Sequence, residues 1–173
     1  MAKIIKRIEE SFIDYPDNKS IALCVIIPGC VNNCAGCQNP WFQSPNPAPE
    51  TVDELSIDEL DEKLDKLCKL NNTNKIVLSG GDPLSPYNIE YTKSFLEKYK
   101  EKYDICIYTG HDIDYVRENN VIGFKFIKCG KFDINNKRES DKTDEKMIFA
   151  SPNQKLYDEN YNLISKDGIY YFN

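Results

Sequence analysis

Three cysteines stand within eight residues in the stretch "GCVNNCAGCQNP", at Cys30, Cys34 and Cys37. Thiolates are soft ligands, and clustered thiols of this kind hold zinc or iron–sulfur clusters or act as reactive groups. Three is an awkward number. A structural zinc site or a closed cluster wants four protein ligands, and a disulfide wants two. Either a fourth ligand such as Cys129 comes from elsewhere in the chain, or the site is built to stay open. A second stretch, "SGGDP", brings Gly80, Gly81 and Asp82 together. Glycines admit close backbone approach, and a carboxylate at Asp82 is suited to pair with an ammonium group. Gly-Gly-Asp-Pro alone suits many tight turns, so its weight comes from where it stands, one strand after the cysteines.

Both stretches need elements to place them. Ser20 to Ile27 is an apolar, β-branched run ending at Pro28-Gly29, which reads as a strand, and the triplet follows on the loop leaving it. "QNPWFQSPNPAPE" holds four prolines and must be a loop with extended backbone. A helix starts at Ser56 with Glu59 as its capping-box partner, and Ile57, Leu60, Leu64, Leu67 and Leu70 recur at helical spacing. "NKIVLSGG" is a second strand, Ile89 to Tyr103 a helix, "DICIYTG" a third strand, "DIDYVREN" a short helix and "VIGFKFIK" a fourth strand. Strand and helix in alternation predict an α/β fold with a mostly parallel sheet and crossover helices. The triplet and "SGGDP" then leave the carboxyl ends of successive strands, the edge where such folds gather ligands. Asp133 to Lys146 is almost wholly polar and is expected to be an exposed, mobile loop. The segment from Lys146 to Asn173 is expected to form a strand and a hairpin-like tail turning near Asp167-Gly168. The whole is expected to be one domain.

The chain of 173 residues carries a formal net charge of −6, which lacks the basic footprint of a nucleic-acid binder. No apolar run approaches the ~20 residues that cross a bilayer. The opening "MAKIIKRIEESFIDYP" has no long apolar core, so it is not expected to be a signal peptide, and a cytoplasmic location is expected. Seven cysteines in that compartment point to metal or catalytic work for the cluster of three. Cys24, Cys68 and Cys106 sit singly in or beside apolar stretches and are expected to be buried small hydrophobes; Cys129 has no evident role. His111, after "YTG", is expected in a turn, and Trp41 is expected to pack over the cysteine loop.

If each thiolate holds one iron of a 4Fe–4S cube, the fourth iron keeps an open position for the amine and carboxylate of a small molecule. The spacing Cys-x3-Cys-x2-Cys resembles the signature of the radical S-adenosylmethionine enzymes. Within that superfamily, "GCVNNCAGCQNP", "LSGGDPLSPYN", "IYTGH", "GKF" and "SPNQKLYD" resemble, in order, segments of the activating proteins of anaerobic ribonucleoside-triphosphate reductases. The resemblance implies a small, partial (βα)-barrel and a cluster that cleaves S-adenosylmethionine to a 5′-deoxyadenosyl radical. That radical generates a glycyl radical on the reductase, and the electron donor is a reduced flavodoxin or ferredoxin. Carried over by position, Cys30, Cys34 and Cys37 ligate iron. Gly36, Cys37 and Gln38 border the adenosyl part of the cofactor, while Gly80, Gly81 and Asp82 hold its methionine end. No acid–base side chain is required.

This chain departs from the pattern in three places. It lacks glycine in "IDYPDNKSIAL", has Gln38 where an aromatic often follows the loop, and has Cys129 where an acidic residue is more usual. Two other functions compete: a small-molecule enzyme resembling 7-carboxy-7-deazaguanine synthase, and an iron–sulfur electron-transfer or sensor protein with four protein ligands. The "GGDPLSPYN" segment and the short chain favour the activase over the first; a required fourth cysteine would favour the second.

Overall fold

A computed structural model describes residues 1–18 and 21–172. The strands are β1 (Ala2–Ile5), β2 (Glu9–Ser11), β3 (Ala22–Ile27), β4 (Val52–Leu55), β5 (Lys75–Gly80), β6 (Asp104–Thr109), β7 (Phe126–Cys129), β8 (Asp141–Lys142), β9 (Lys146–Ile148), β10 (Lys155–Asp158) and β11 (Ile169–Tyr171). The helices are α1 (Ile57–Asn71), α2 (Ile89–Tyr99) and α3 (Ile113–Glu118). The central sheet runs β10-β7-β6-β5-β3-β2. Its middle strands β3, β5, β6 and β7 are parallel, whereas β2 and β10 join antiparallel at the two edges. The fold is therefore mixed α/β around a mostly parallel sheet.

Strand periodicity explains why those middle strands read as unbroken apolar runs. Side chains alternate between faces, and both faces are covered. Leu23, Val25, Ile27, Ile76, Leu78, Ile105, Ile107 and Ile127 pack with Leu60, Leu64, Phe95, Leu96 and Val116 from the three helices. On the other face Ala22, Val77 and Cys106 meet Tyr15, and Met147, Phe149 and Leu156 close over Tyr108 and Phe126.

Ser56 caps α1, accepting from the Glu59 N–H while the Glu59 side chain returns to the Ser56 N–H. The helix expected over Ile89 to Tyr103 stops at Tyr99. The polar run Lys100-Glu101-Lys102 makes a turn instead, with the Tyr103 N–H donating to the Tyr99 carbonyl at 3.0 Å. Tyr103 is buried in that turn and its hydroxyl donates to Asp61 Oδ1 at 2.6 Å, which sets up the chain reversal into β6. Ser20, the expected start of the first strand, lies outside the described residues, and the strand is described from Ala22.

Two loop expectations are corrected. The proline-rich segment after the cysteines is not extended throughout: it carries two short 3-10 turns, Pro40–Phe42 and Pro49–Thr51, each opened by proline. Residues 133–146 carry a 3-10 turn at Ile134–Asn136 and strand β8, which pairs with β9. Arg138 is the reason that a polar segment folds back here. Its guanidinium donates to the carbonyls of Phe149 at 2.8 Å, Asp167 at 2.8 Å and Gly168 at 2.6 Å. Asp167 and Gly168 both take positive φ, and the Lys166–Ile169 bridge closes that turn between residues of the tail.

Candidate functional site

The cysteine loop leaves β3 through Gly29, whose φ of 103° is accessible mainly to glycine. Its start is fastened twice to the proline-rich segment: the Gly29 N–H donates to the Phe42 carbonyl at 2.8 Å and the Cys30 N–H to the Gln43 carbonyl at 2.9 Å. The loop then coils tightly. Asn33 and Gly36 both have positive φ, and the Cys37 N–H donates to the Cys34 carbonyl at 3.2 Å. That winding turns three closely spaced thiols to one side. Cys30, Cys34 and Cys37 line a single cavity of about 160 Å³ together with Gln38, Gly80 and Gly81.

The walls opposite come from β5, β6 and β7. Gly81 is packed where no side chain fits: a Cβ there would lie 2.5 Å from the Phe42 carbonyl oxygen and 2.6 Å from the Gly29 nitrogen. Backbone has approached Gly81 from the neighbouring loop, with the Gly81 N–H donating to Ile27 at 3.1 Å and the Asp82 N–H to Gly29 at 2.9 Å. Asn88, buried at the start of α2, ties the same two loops together. Its amide donates to the carbonyls of Pro28 at 2.9 Å, Gly29 at 3.3 Å and Asp82 at 2.9 Å.

Asp82 occupies a different place from the one its sequence suggests. Its side chain is 1% exposed and does not line the cavity. Its carboxylate accepts from Asn32 Nδ2 at 2.8 Å, the Gly110 N–H at 2.9 Å, the Leu84 N–H at 2.9 Å and Thr109 Oγ1 at 2.8 Å. Burial pushes this carboxyl up, against the opposing pull of those hydrogen bonds and of nearby His111. Asn32 belongs to the cysteine loop, and its Nδ2 also lies 3.6 Å from Cys30 Sγ. Asp82 thus latches the cysteine loop to the ends of β5 and β6. Gly36 does not line the cavity either, and a Cβ there would lie 2.6 Å from Ile134 Cδ1.

His111 stacks on Tyr115 with ring centroids 3.8 Å apart, and its Nε2 is 3.9 Å from Asp82 Oδ2 without a hydrogen bond. Trp41, expected over the cysteine loop, is 77% exposed. Cys68, Cys106 and Cys129 are buried, and Cys24 donates to Asp14 Oδ2 at 3.7 Å. None of these four thiols lines the first cavity.

The donor set fits a cluster. All three loop thiols are free, and two sulfurs already accept backbone hydrogen bonds, Cys30 from Asn32 at 3.3 Å and Cys37 from Asn39 at 3.4 Å. Such bonds tune iron–sulfur centres. Burial pushes the Cys30 thiol up, which metal coordination would reverse. Among the described residues no three His, Cys, Asp or Glu side chains gather around one ion. Thiolates that each bind a different iron need no such convergence.

Gly110 carries a testable consequence. A Cβ there would lie 2.4 Å from Asn32 Nδ2, and the side chain that must yield is the one joining Asp82 to the cysteine loop. Gly110→Ala should stay within about 1 kcal/mol of wild-type stability, because an amide can swing away. The reconstituted cluster should nonetheless be lost to a chelator about 10- to 100-fold faster, as for other supports of metal ligands. An unchanged loss rate would show that the Asn32–Asp82 bond does not hold the loop.

The sequence profile of the 4Fe–4S single cluster domain family matches residues 19–157. The anaerobic ribonucleoside-triphosphate reductase-activating protein of Haemophilus influenzae is 32% identical over 95 residues, covering 52% of this chain and 58% of that protein. Its namesake from Escherichia coli K12 is 27% identical over 108 residues, 59% of this chain and 66% of the relative. The one from Enterobacteria phage T4 is 24% identical over 148 residues, 83% and 88% of the two chains. The chain thus spans less than two thirds of the first two relatives. Among solved structures, QueE from Escherichia coli superposes with a TM-score of 0.45 at 16% identity, over 63% of this chain and 53% of that one.

Proposed function

The chain belongs to the 4Fe–4S single cluster domain family, and from that premise we propose that it is a radical S-adenosylmethionine activase that generates a glycyl radical on an anaerobic ribonucleoside-triphosphate reductase. The observation that carries the proposal is the common cavity: the three clustered cysteines share it with Gly80 and Gly81, and the four scattered cysteines stand outside it. Three protein thiolates with no fourth leave one iron of a cluster free for a small molecule. The names of the reductase-activating relatives support the choice of partner.

In this proposal Cys30, Cys34 and Cys37 hold the cluster, and Gln38 with the neighbouring backbone borders the adenosyl part of S-adenosylmethionine. Gly80 and Gly81 form the wall for the methionine end, and Asp82 holds that wall from behind. When bound, the reduced cluster and S-adenosylmethionine supply single-electron cleavage of the C5′–S bond, giving the 5′-deoxyadenosyl radical that takes hydrogen from a glycine Cα of the partner. The chain contributes binding, orientation and exclusion of water. On this reading the mostly parallel sheet would correspond to the partial (βα)-barrel of that class, the electron donor would be a reduced flavodoxin or ferredoxin, and the compartment the cytoplasm.

The test is anaerobic iron–sulfur reconstitution followed by reduction with and without S-adenosylmethionine. The expected result is a reduced-cluster electron paramagnetic resonance signal that changes when S-adenosylmethionine is added, with 5′-deoxyadenosine formed. A cluster whose spectrum ignores S-adenosylmethionine, with no cleavage product, overturns the proposal.

A further inference from the structure

The loop that carries the three thiols has an outer face as well as an inner one. From Ile21 to Pro49 the chain has no Asp, Glu, Lys, Arg or His, although 29% of its residues are charged overall. Cys30, Cys34 and Cys37 are half-buried, whereas their neighbours Val31, Asn33, Ala35 and Gly36 are exposed. Trp41 stands 77% exposed in the proline-opened turn that follows. Ile134, itself 41% exposed, extends this surface from across the loop, packed close against Gly36. A cluster held by these thiols would lie one residue's thickness beneath an uncharged, partly apolar surface.

That composition is the one found at the core of an interface, where charges are depleted and tryptophan is enriched. Its border is basic. Residues 131–139 hold Lys131, Lys137 and Arg138 against Asp133 and Glu139, one positive charge in excess within a chain of net charge −6. Arg138 is committed to backbone carbonyls. Asp133 accepts from the Asn135 N–H at 3.0 Å and from Asn136 Nδ2 at 2.7 Å. Lys131 and Lys137 are exposed and enter no ion pair among the described residues. An apolar patch bordered by two unpaired lysines complements an acidic partner that presents an apolar edge.

We propose that this outer face of the cysteine loop, with Trp41, docks the electron donor, a flavin-bearing one-electron carrier with an acidic rim. The inference rests on the functional proposal above. Electron tunnelling weakens steeply with separation, and here a single layer of residues divides the iron ligands from solvent. The dimethylbenzene edge of a flavin is apolar and aromatic, which suits the exposed indole of Trp41. A patch of this size suits a transient redox encounter, which buries less than about 1,200 Å². The reductase's glycine has to come to the opposite, cavity side, where Gly80 and Gly81 lie and a second cavity of about 310 Å³ adjoins the first. The outer face is then free while the reductase is engaged. One electron leaves the anionic flavin hydroquinone, which becomes the neutral semiquinone. The cluster is reduced by that one electron, and no bond or proton moves.

The test uses reconstituted holoprotein, wild type, Trp41→Ser, Trp41→Phe and Lys137→Glu. Binding of oxidised flavodoxin is measured calorimetrically, and cluster bleaching by reduced flavodoxin is followed in stopped flow. Dithionite serves as the reductant that needs no docking. Trp41→Ser should bind flavodoxin about 10-fold more weakly or worse and be reduced by it correspondingly more slowly. Trp41→Phe should recover most of that loss. Lys137→Glu should weaken binding about 3-fold at low salt, with the difference closing as salt is raised. Iron content, reduction by dithionite and apoprotein melting temperature should match wild type in all three, since both side chains are exposed. A Trp41→Ser variant that loses iron or melts lower would overturn the proposal in favour of a structural role. Unchanged flavodoxin binding with weakened reductase binding would assign the face to the reductase, and a wild-type dimer dissociated by Trp41→Ser would assign it to a second copy; either overturns the proposal. If the wild-type cluster responds to S-adenosylmethionine but flavodoxin neither binds nor reduces it, this inference alone fails. A cluster blind to S-adenosylmethionine removes the functional proposal and this one with it.

Discussion

Alanine at Cys30, Cys34 or Cys37, introduced singly, should leave reconstituted protein with far less than the about four irons per chain of a full cluster and with no measurable 5′-deoxyadenosine. Each thiolate of a three-cysteine site holds a different iron, so none is redundant. The chain offers no substitute within reach. Cys129 is 3% exposed among helix-side core residues, Cys106 is fully buried on the opposite face, and Cys68 lies within α1. Cys24 faces the second cavity, where its thiol donates to Asp14. Alanine at any of these four should therefore keep the cluster and cost on the order of 1 kcal/mol of stability, as for other small core truncations. Iron and sulfide content measured beside a denaturant titration separates the two groups. A cluster lost in Cys129→Ala with normal stability would mean a fourth protein ligand, and with it the electron-transfer function set out as the competitor.

That contrast among seven like residues also marks where sequence is informative. Spacing distinguished the three from the four because a metal loop must be short. Burial distinguished nothing further, since Cys24 and Cys106 sit in strands apolar on both faces and the alternation that would orient them is hidden. The same continuous apolar runs made β3, β5, β6 and β7 legible. The pairs that frame them were not. β1 meets β4 through Ile5 and Val52, partners far apart in the chain, and β2 and β8 are polar, short and stabilised by what they pair with. In the polar segment 133–146, order comes from Arg138 reaching distant carbonyls, a contact no local pattern announces.

The candidate site divides in the same way. Thiols and glycines announce themselves by type, whereas Asn32 and Asn88 are ordinary loop residues until the loops that they join are seen together. Lys128 did leave a trace. It is a lysine inside the apolar run "FKFIKCG", and it stands over the Tyr108 ring on the cavity side of the sheet. Gly81 was legible as a glycine, but the backbone packed against it was not. Its missing side chain makes room first for the backbone of Gly29 and Phe42, and the cavity wall follows from that packing.

Asp82 is where the sequence-based role and the structural one make opposite predictions. A carboxylate reserved for a ligand's ammonium would be dispensable to the empty protein, and its removal would weaken only ligand affinity. A carboxylate that accepts from Asn32, Thr109, Gly110 and Leu84 is part of the fold. Asp82→Ala would strand those donors in a buried site, where each orphaned group costs about 1–3 kcal/mol. The apoprotein should therefore lose on the order of 3 kcal/mol or more in a denaturant titration, allowing for partial relaxation. Asp82→Asn keeps the shape but turns an amide N–H₂ toward at least one donor, so it should recover only part of that loss. Because Asn32 is one of the stranded donors, the cysteine loop should loosen as well, and the cluster should be lost to chelator faster than in wild type, in the same direction as for Gly110→Ala and to a larger extent. If both variants match wild type in apoprotein stability and cluster retention, and weaken only S-adenosylmethionine binding, Asp82 is a ligand group after all. The hydrogen bonds that now fill its coordination would then have to open when the ligand enters.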